Sequence, residues 1–118
     1  MQIKKSYLGV SPDLLFDEVK DFVIKQGATL GDSKLETYSL PDDSSSFITR
    51  GTLTFTIADK ASKSDAECLR AHIVGSARSE TKLMLDINEQ LFPQEKISAL
   101  EEDLDFIFAS YQPDTDNS

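Results

Sequence analysis

Cys68 and His72 are the only cysteine and the only histidine in the chain. Both residue types serve as proton carriers, nucleophiles and metal ligands. They lie four positions apart in an alternating polar and apolar run that ends at Gly75. In an extended strand this separation spans about 13 Å, so the two side chains cannot form a nucleophile–base pair. We therefore interpret Cys68 as a packing or surface residue on the same mixed strand face as His72.

His72 has neighbours that favour proton chemistry. A second alternating run extends from Lys82 to Ile87, and pairing the two runs by parity places His72 opposite Met84 and Arg70 opposite Asp86. A contact between His72 and Asp86 would have the arrangement of a general base. A solvated network of charges across two strands accounts for the same residues, and we favour that interpretation. The sequence therefore predicts no catalytic residue.

Acidic residues of the last predicted helix are the other candidates for chemistry. Glu101 and Asp105 are four residues apart, and Glu102 and Asp105 are three apart, so each pair would share one side of a helix. Surface carboxylates of this kind bind hard cations weakly and without specificity. The chain contains no glycine-rich phosphate loop, zinc-ligand spacing or serine-nucleophile motif. We predict no metal site and no cofactor.

The elements that position these residues follow from the periodicity of the apolar side chains. Alternation with a period of two predicts five strands. Their predicted ranges are Ile3–Val10, Lys34–Leu40, Phe47–Ala58, the run ending at Gly75 and the run ending at Ile87, with turns at Pro41–Ser46 and Ala77–Ser79. The lysines of the first strand are typical of a sheet edge.

Two amphipathic helices complete the prediction. Ser11 as N-cap, Pro12 at the first helical position and Gly27 as C-terminal cap delimit the first helix. The second helix is predicted to begin at Pro93 and to extend to Tyr111, because apolar residues recur every three or four positions between them.

This order of elements predicts an α+β protein. We expect an antiparallel sheet of about five strands, in the order β-α-β-β-β-β-α, with the two helices covering one face. Residues 1–112 would form a single domain and residues 113–118 a disordered acidic tail. The predicted core consists of Leu53, Phe55, Ile57, Leu69, Ile73, Leu83, Leu85, Ile87, Ile97, Leu100, Leu104 and Ile107. The polar sheet face is predicted to carry Arg50, Arg70, His72, Met84 and Asp86.

Composition narrows the possible partners and location. The formal net charge is −9, from 12 basic and 21 acidic residues, and an acidic field of this size repels nucleic acid. No run approaches the roughly 18 apolar residues of a membrane span, and the first residues lack the apolar core of a signal peptide. We predict a cytoplasmic protein that binds neither nucleic acid nor membranes. A single cysteine cannot form an internal disulfide.

The order of elements resembles the helix-grip fold of the START and Bet v 1-like (SRPBCC) proteins, and it is also similar to the single repeat of the TATA-binding-protein fold. The stretch Val10-Ser11-Pro12-Asp13-Leu14-Leu15-Phe16 resembles the opening of the first helix in the helix-grip family. The chain has fewer strands after this helix than typical members. The resemblance implies an apolar small molecule held between the sheet and the C-terminal helix, in a groove lined by Phe55, Leu85, Leu100, Leu104 and Phe108.

Three functional hypotheses follow. The first is a small non-enzymatic binding module that holds an apolar molecule in this groove. The second is a protein-interaction or homodimerisation domain that uses the polar sheet face or an edge strand. The third is a cyclase- or hydratase-like enzyme, as implied by the helix-grip resemblance, with His72 and Asp86 as catalytic pair. The enzyme requires His72 on the helix-covered face, whereas parity places it on the opposite face.

Overall fold

The computed structural model describes residues 1–40, 43–59, 64–76 and 80–108. Its elements are β1 (Gln2–Leu8), α1 (Pro12–Lys25), β2 (Thr29–Leu40), β3 (Asp43–Asp59), β4 (Ser64–Gly75), β5 (Glu80–Ile87) and α2 (Gln94–Phe108). The five strands form one antiparallel sheet in the order β1-β5-β4-β3-β2. The α+β class and the predicted order of elements are therefore confirmed.

The register of the central hairpin agrees with the parity of the sequence. The predicted pairs are all present: Arg70 with Asp86, Ala71 with Leu85, His72 with Met84, and Ile73 with Leu83. A one-residue slip would have turned the apolar side chains of both strands to water. The β1 strand lies at one edge of the sheet, as its lysines predict, and β2 lies at the other edge.

Several element boundaries differ from the prediction. The β2 strand begins at Thr29 rather than Lys34, and the predicted turn residues 43–46 belong to β3. Helix α2 begins at Gln94, one residue after Pro93. Residues 41–42, the predicted turn Ala77–Ser79, the predicted helix end at Tyr111 and the predicted tail lie outside the described residues.

Both ends of α1 have the capping interactions that the sequence predicts. The Ser11 hydroxyl accepts a hydrogen bond from the Asp13 backbone N–H at 3.2 Å, and Pro12 is the first helical residue. After the last turn, Gly27 adopts a φ of 98°, a conformation that favours glycine. Lys96 of α2 donates from Nζ to the Gln26 carbonyl at 2.6 Å, which ties the second helix to the end of the first.

The core lies between the two helices and one face of the sheet. The predicted core residues are buried, except that Ile57 is partly buried against the core and Ile107 is 40% exposed. The prediction for Ile107 was wrong because the buried side of α2 continues from Leu104 to Phe108. The helix therefore turns Phe108 rather than Ile107 towards the core. There the Phe108 ring packs on Tyr7, with ring centroids 5.3 Å apart.

A β-bulge changes the direction of side chains in β4. Phe55 pairs with Leu69 and Thr56 with Glu67, so Cys68 is an extra residue between the two pairs. Parity reverses beyond this point. Cys68 therefore lies in the core, 1% exposed, and its predicted place on the mixed face with His72 was wrong.

The same bulge brings Glu67 and Arg70 together. In a regular strand, residues three positions apart point to opposite faces of the sheet. Here the extra residue places both side chains on one face, and Arg70 Nη2 donates to Glu67 Oε1 at 2.9 Å.

Within the described part of the chain, no helix is long and apolar enough to cross a membrane.

Candidate functional site

The sheet face opposite the two helices, here named the open face, carries all five residues of the predicted polar face. Arg50 and Arg70 are exposed on it, and His72, Met84 and Asp86 are half-buried. Register pairs Arg70 with Asp86 and His72 with Met84 across the two central strands. Ala71, Ile73 and Leu85 are buried under the helices. Because side chains alternate along a strand, the five residues of the predicted polar face point to the other side of the sheet.

Apart from the hydrogen-bonded pair of Arg70 and Glu67, charges on the open face form loose ion pairs. His72 Nε2 is 4.0 Å from Asp86 Oδ2, with side chains 35% and 44% exposed, and this distance exceeds that of a hydrogen bond. Lys34 and Glu36 approach to 3.5 Å, and Lys82 and Glu80 to 3.9 Å. Exposed pairs of this kind contribute at most about 1 kcal/mol to stability. His72 lies on the open face, whereas the enzyme hypothesis requires it on the helix-covered face.

Four apolar residues lie diagonally across the open face and are here named the apolar stripe. Tyr38 pairs with Ile48. Val74 pairs with Arg50, which is two residues from Ile48, so Val74 is diagonal to Ile48. Val74 also pairs with Lys82, which is two residues from Met84, so Met84 is diagonal to Val74. Diagonal positions lie about 7–8 Å apart, within reach of long side chains.

The stripe is partly accessible to solvent. Tyr38 is 47% exposed, and Ile48, Val74 and Met84 are half-buried. The sequence prediction included Met84 and missed the other three. The signal was present, because Ile48 and Val74 interrupt the otherwise polar parity of their strands.

Basic residues flank the centre of the stripe. Val74 lies between Arg50 and Lys82 in the register, and Met84 lies between His72 and Lys4. Helix α2, on the other side of the molecule, carries five acidic residues against Lys96 alone. The open face itself carries charges of both signs, because Glu36 pairs with Arg50 in the register and Glu80 lies 3.9 Å from Lys82.

The residues of the predicted ligand groove lie in the core. Phe55, Leu85, Leu100 and Leu104 are 0% exposed, and Phe108 is 1% exposed. All of them belong to one cluster of buried side chains that joins the sheet to both helices. A molecule bound between the sheet and α2 would have to displace these side chains.

A shallow depression of about 500 Å³ lies where β1, β4 and the end of β5 meet, and Cys68 lies in its wall. Its lining residues are Met1, Gln2, Glu67, Cys68, Leu69, Asp86, Ile87 and Asn88. Burial raises the pKa of the Cys68 thiol, and only the thiolate is an effective nucleophile. Cys68 therefore has the properties of a packing residue.

Among the described residues, no group of three or more His, Cys, Asp or Glu side chains is arranged to hold a metal ion. Comparisons with protein families, curated proteins and solved structures find no match to this chain.

Proposed function

We propose that this chain is a non-enzymatic protein-interaction module that binds a partner protein on the open face of its sheet. The observation that carries the proposal is the apolar stripe, which lies on a face that neither α1 nor α2 covers. Aromatic residues and methionine are enriched in protein interfaces. Tyr38 and Met84 occupy the two ends of the stripe, with Ile48 and Val74 between them.

The surroundings of the stripe define the chemistry of the partner. Interfaces commonly combine an apolar centre with a polar rim, and here the rim contains the cations Arg50, Lys82 and Lys4 and the carboxylates Glu36 and Glu80. The complementary surface would be apolar at its centre and would place carboxylates opposite these cations. Such charges increase the rate of association and make it sensitive to salt.

Protein binding on this face requires no change in the core. The ligand-carrier hypothesis, which rests on the helix-grip resemblance, would require Leu85 and Leu100 to move from fully buried positions. The stripe is already accessible in the folded chain. We therefore place partner binding ahead of ligand binding.

Met84→Glu tests this proposal. The substitution puts a carboxylate at one end of the stripe, where Lys4 and His72 on either side can accommodate it. Gln94→Glu is the matched control, because it adds the same charge to an exposed position at the start of α2. A protein captured by the wild-type chain from its own cells would be purified, and its affinity for all three chains measured by titration calorimetry.

We expect Met84→Glu to weaken binding by roughly thirtyfold or more, because it puts a charge into the apolar part of the interface, while the control binds like wild type. Equal affinity of all three chains would refute the proposal. A fatty acid that raises the melting temperature of the wild type and of Met84→Glu alike would favour the ligand carrier.

A further inference from the structure

The outer side of β2 is a long strand edge. β2 pairs with β3 on one side, and within the described part of the chain no strand lies on its other side. Residues 31–39 are all exposed. Such an edge presents unpaired backbone N–H and C=O groups that can add a further strand.

We propose that a second copy of this chain pairs with the edge of β2, so that two sheets join into one through antiparallel β2 strands centred on Leu35. This inference concerns the sheet edge and is independent of the binding proposed for the open face. A two-fold axis that joins two identical antiparallel edges is normal to the sheet. Each residue then faces one of the same parity, and both open faces lie on the same side of the dimer.

Charge selects the centre of the pairing. Regular pairing with β3 extends from Ser33 to Ser39, and the only charged residues in this range are Lys34 and Glu36, on either side of Leu35. A two-fold centre at Lys34 would oppose two lysines, and a centre at Glu36 would oppose two glutamates. Like charges directly opposite each other are destabilising in a sheet.

A centre at Leu35 has the opposite effect. It places Lys34 of each copy opposite Glu36 of the other, which gives two attractive pairs on the open face. Within one chain the same two side chains already approach to 3.5 Å. The dimer would therefore contain four charges of alternating sign around the axis, a pattern that neither neighbouring centre offers.

Leu35 itself lies on the helix-covered face. It is 39% exposed and pairs with Gly51. A Cβ at Gly51 would lie 3.1 Å from Leu35 Cδ1 and 2.7 Å from Phe16 Cδ2, so the leucine packs closely over the glycine. At the proposed axis Leu35 would meet its own copy, and the exposed part of its side chain would become buried.

A charge-swap experiment tests the pairing and its centre together. Lys34→Glu and Glu36→Lys are each made alone and then combined, and Glu102→Lys on the exposed side of α2 is the control. The Lys34 and Glu36 side chains are 70% and 44% exposed, so these substitutions leave the core unchanged, which circular dichroism verifies. Sedimentation equilibrium measures the dimer dissociation constant at concentrations up to about 1 mM.

We expect each single substitution to weaken the dimer by roughly tenfold, because every cross-strand pair then joins two like charges. The double substitution restores opposite charges and should return the dissociation constant to within about threefold of wild type. The Glu102→Lys control should leave it unchanged. A wild-type chain that stays monomeric over the whole concentration range would overturn the proposal, and so would a double substitution as weak as the single ones.

Discussion

Thr81 shows how a single polar side chain contributes to the packing of this fold. It is fully buried, and its hydroxyl donates to the Val10 carbonyl at 2.7 Å. The bond joins β5 to the segment between β1 and α1. It also satisfies a buried carbonyl, which would otherwise lose its hydrogen bond to water without replacement.

Replacing this hydroxyl should be costly although the shape of the side chain is retained. We expect Thr81→Val to destabilise the fold by about 1–3 kcal/mol, because the Val10 carbonyl would remain buried without a donor. Urea denaturation measures the change. Thr52→Val, at a half-buried position on the open face, is the control and should change stability by less than about 0.5 kcal/mol. Equal effects of the two substitutions would show that the Thr81 hydrogen bond contributes nothing.

Parity alone predicted the side on which most individual residues lie. Arg70, His72, Met84 and Asp86 lie on the open face as predicted. Cys68 does not, because the bulge inserts one residue and reverses parity beyond it. The one trace of the bulge in the sequence is the adjacent apolar pair Cys68 and Leu69, both of which are buried.

At the scale of elements, the contact between α1 and α2 combines a favourable and an unfavourable interaction. Lys96 caps the end of α1 through the Gln26 carbonyl. Elsewhere along the contact, Glu18 of α1 lies beside Asp103 of α2. Burial raises the pKa of Glu18, and the nearby Asp103 and Asp21 raise it further, while Lys25 opposes them. Asp103 Oδ2 is buried and has no hydrogen-bond donor among the described residues.

This carboxyl pair should make stability depend on pH. The pKa of Glu18 is higher in the folded than in the unfolded chain, so its contribution is fully present below the unfolded pKa and is lost as pH rises through the folded pKa. We expect Glu18→Gln to raise the melting temperature near neutral pH, because the amide is uncharged and can donate to Asp103.

The advantage of Glu18→Gln should shrink as pH falls through the raised pKa towards about 4. Thermal melts of wild type and variant across this range measure the difference. Glu102→Gln, which removes an exposed carboxylate from α2, is the matched control and should show no comparable trend. A Glu18→Gln chain that melts below wild type at neutral pH would contradict this account.

The bounds of some elements could not be predicted from the sequence. The type and order of all elements were predicted, because each apolar face follows a clear period of two or of three to four residues. The first part of β2 was missed because Gly31 and Asp32 are unfavourable in strands. They lie in an irregular stretch of the pairing with β3, where the Asp32 N–H donates to the Thr54 hydroxyl at 2.7 Å.

At the scale of the whole molecule, the two faces of the sheet differ in what covers them. One face is packed against α1 and α2, and its largest side chains are fully buried. The other is not covered by either helix and carries the apolar stripe with charged residues of both signs beside it. The stripe was only partly predictable, because neither Tyr38 nor Ile48 belongs to a recognisable motif. Their proximity to Val74 and Met84 depends on strand register across four strands.

Pairing through β2 would keep both open faces on one side of the dimer and both acidic helix layers on the other. The Tyr38 end of each apolar stripe would then lie beside the joined edges, because Tyr38 belongs to β2. Phe106, which is 87% exposed on α2, offers a contrasting apolar site on the helical side. It therefore provides an internal reference for any measurement of where a partner binds.

Oxidative footprinting of the chain with its purified partner tests most directly whether the open face is the binding surface. The account predicts that Met84 and Tyr38 become protected from oxidation in the complex, while Phe106 stays as reactive as in the free chain. Protection of Phe106 with unchanged oxidation of Met84 and Tyr38 would contradict the account and place the partner on the helices.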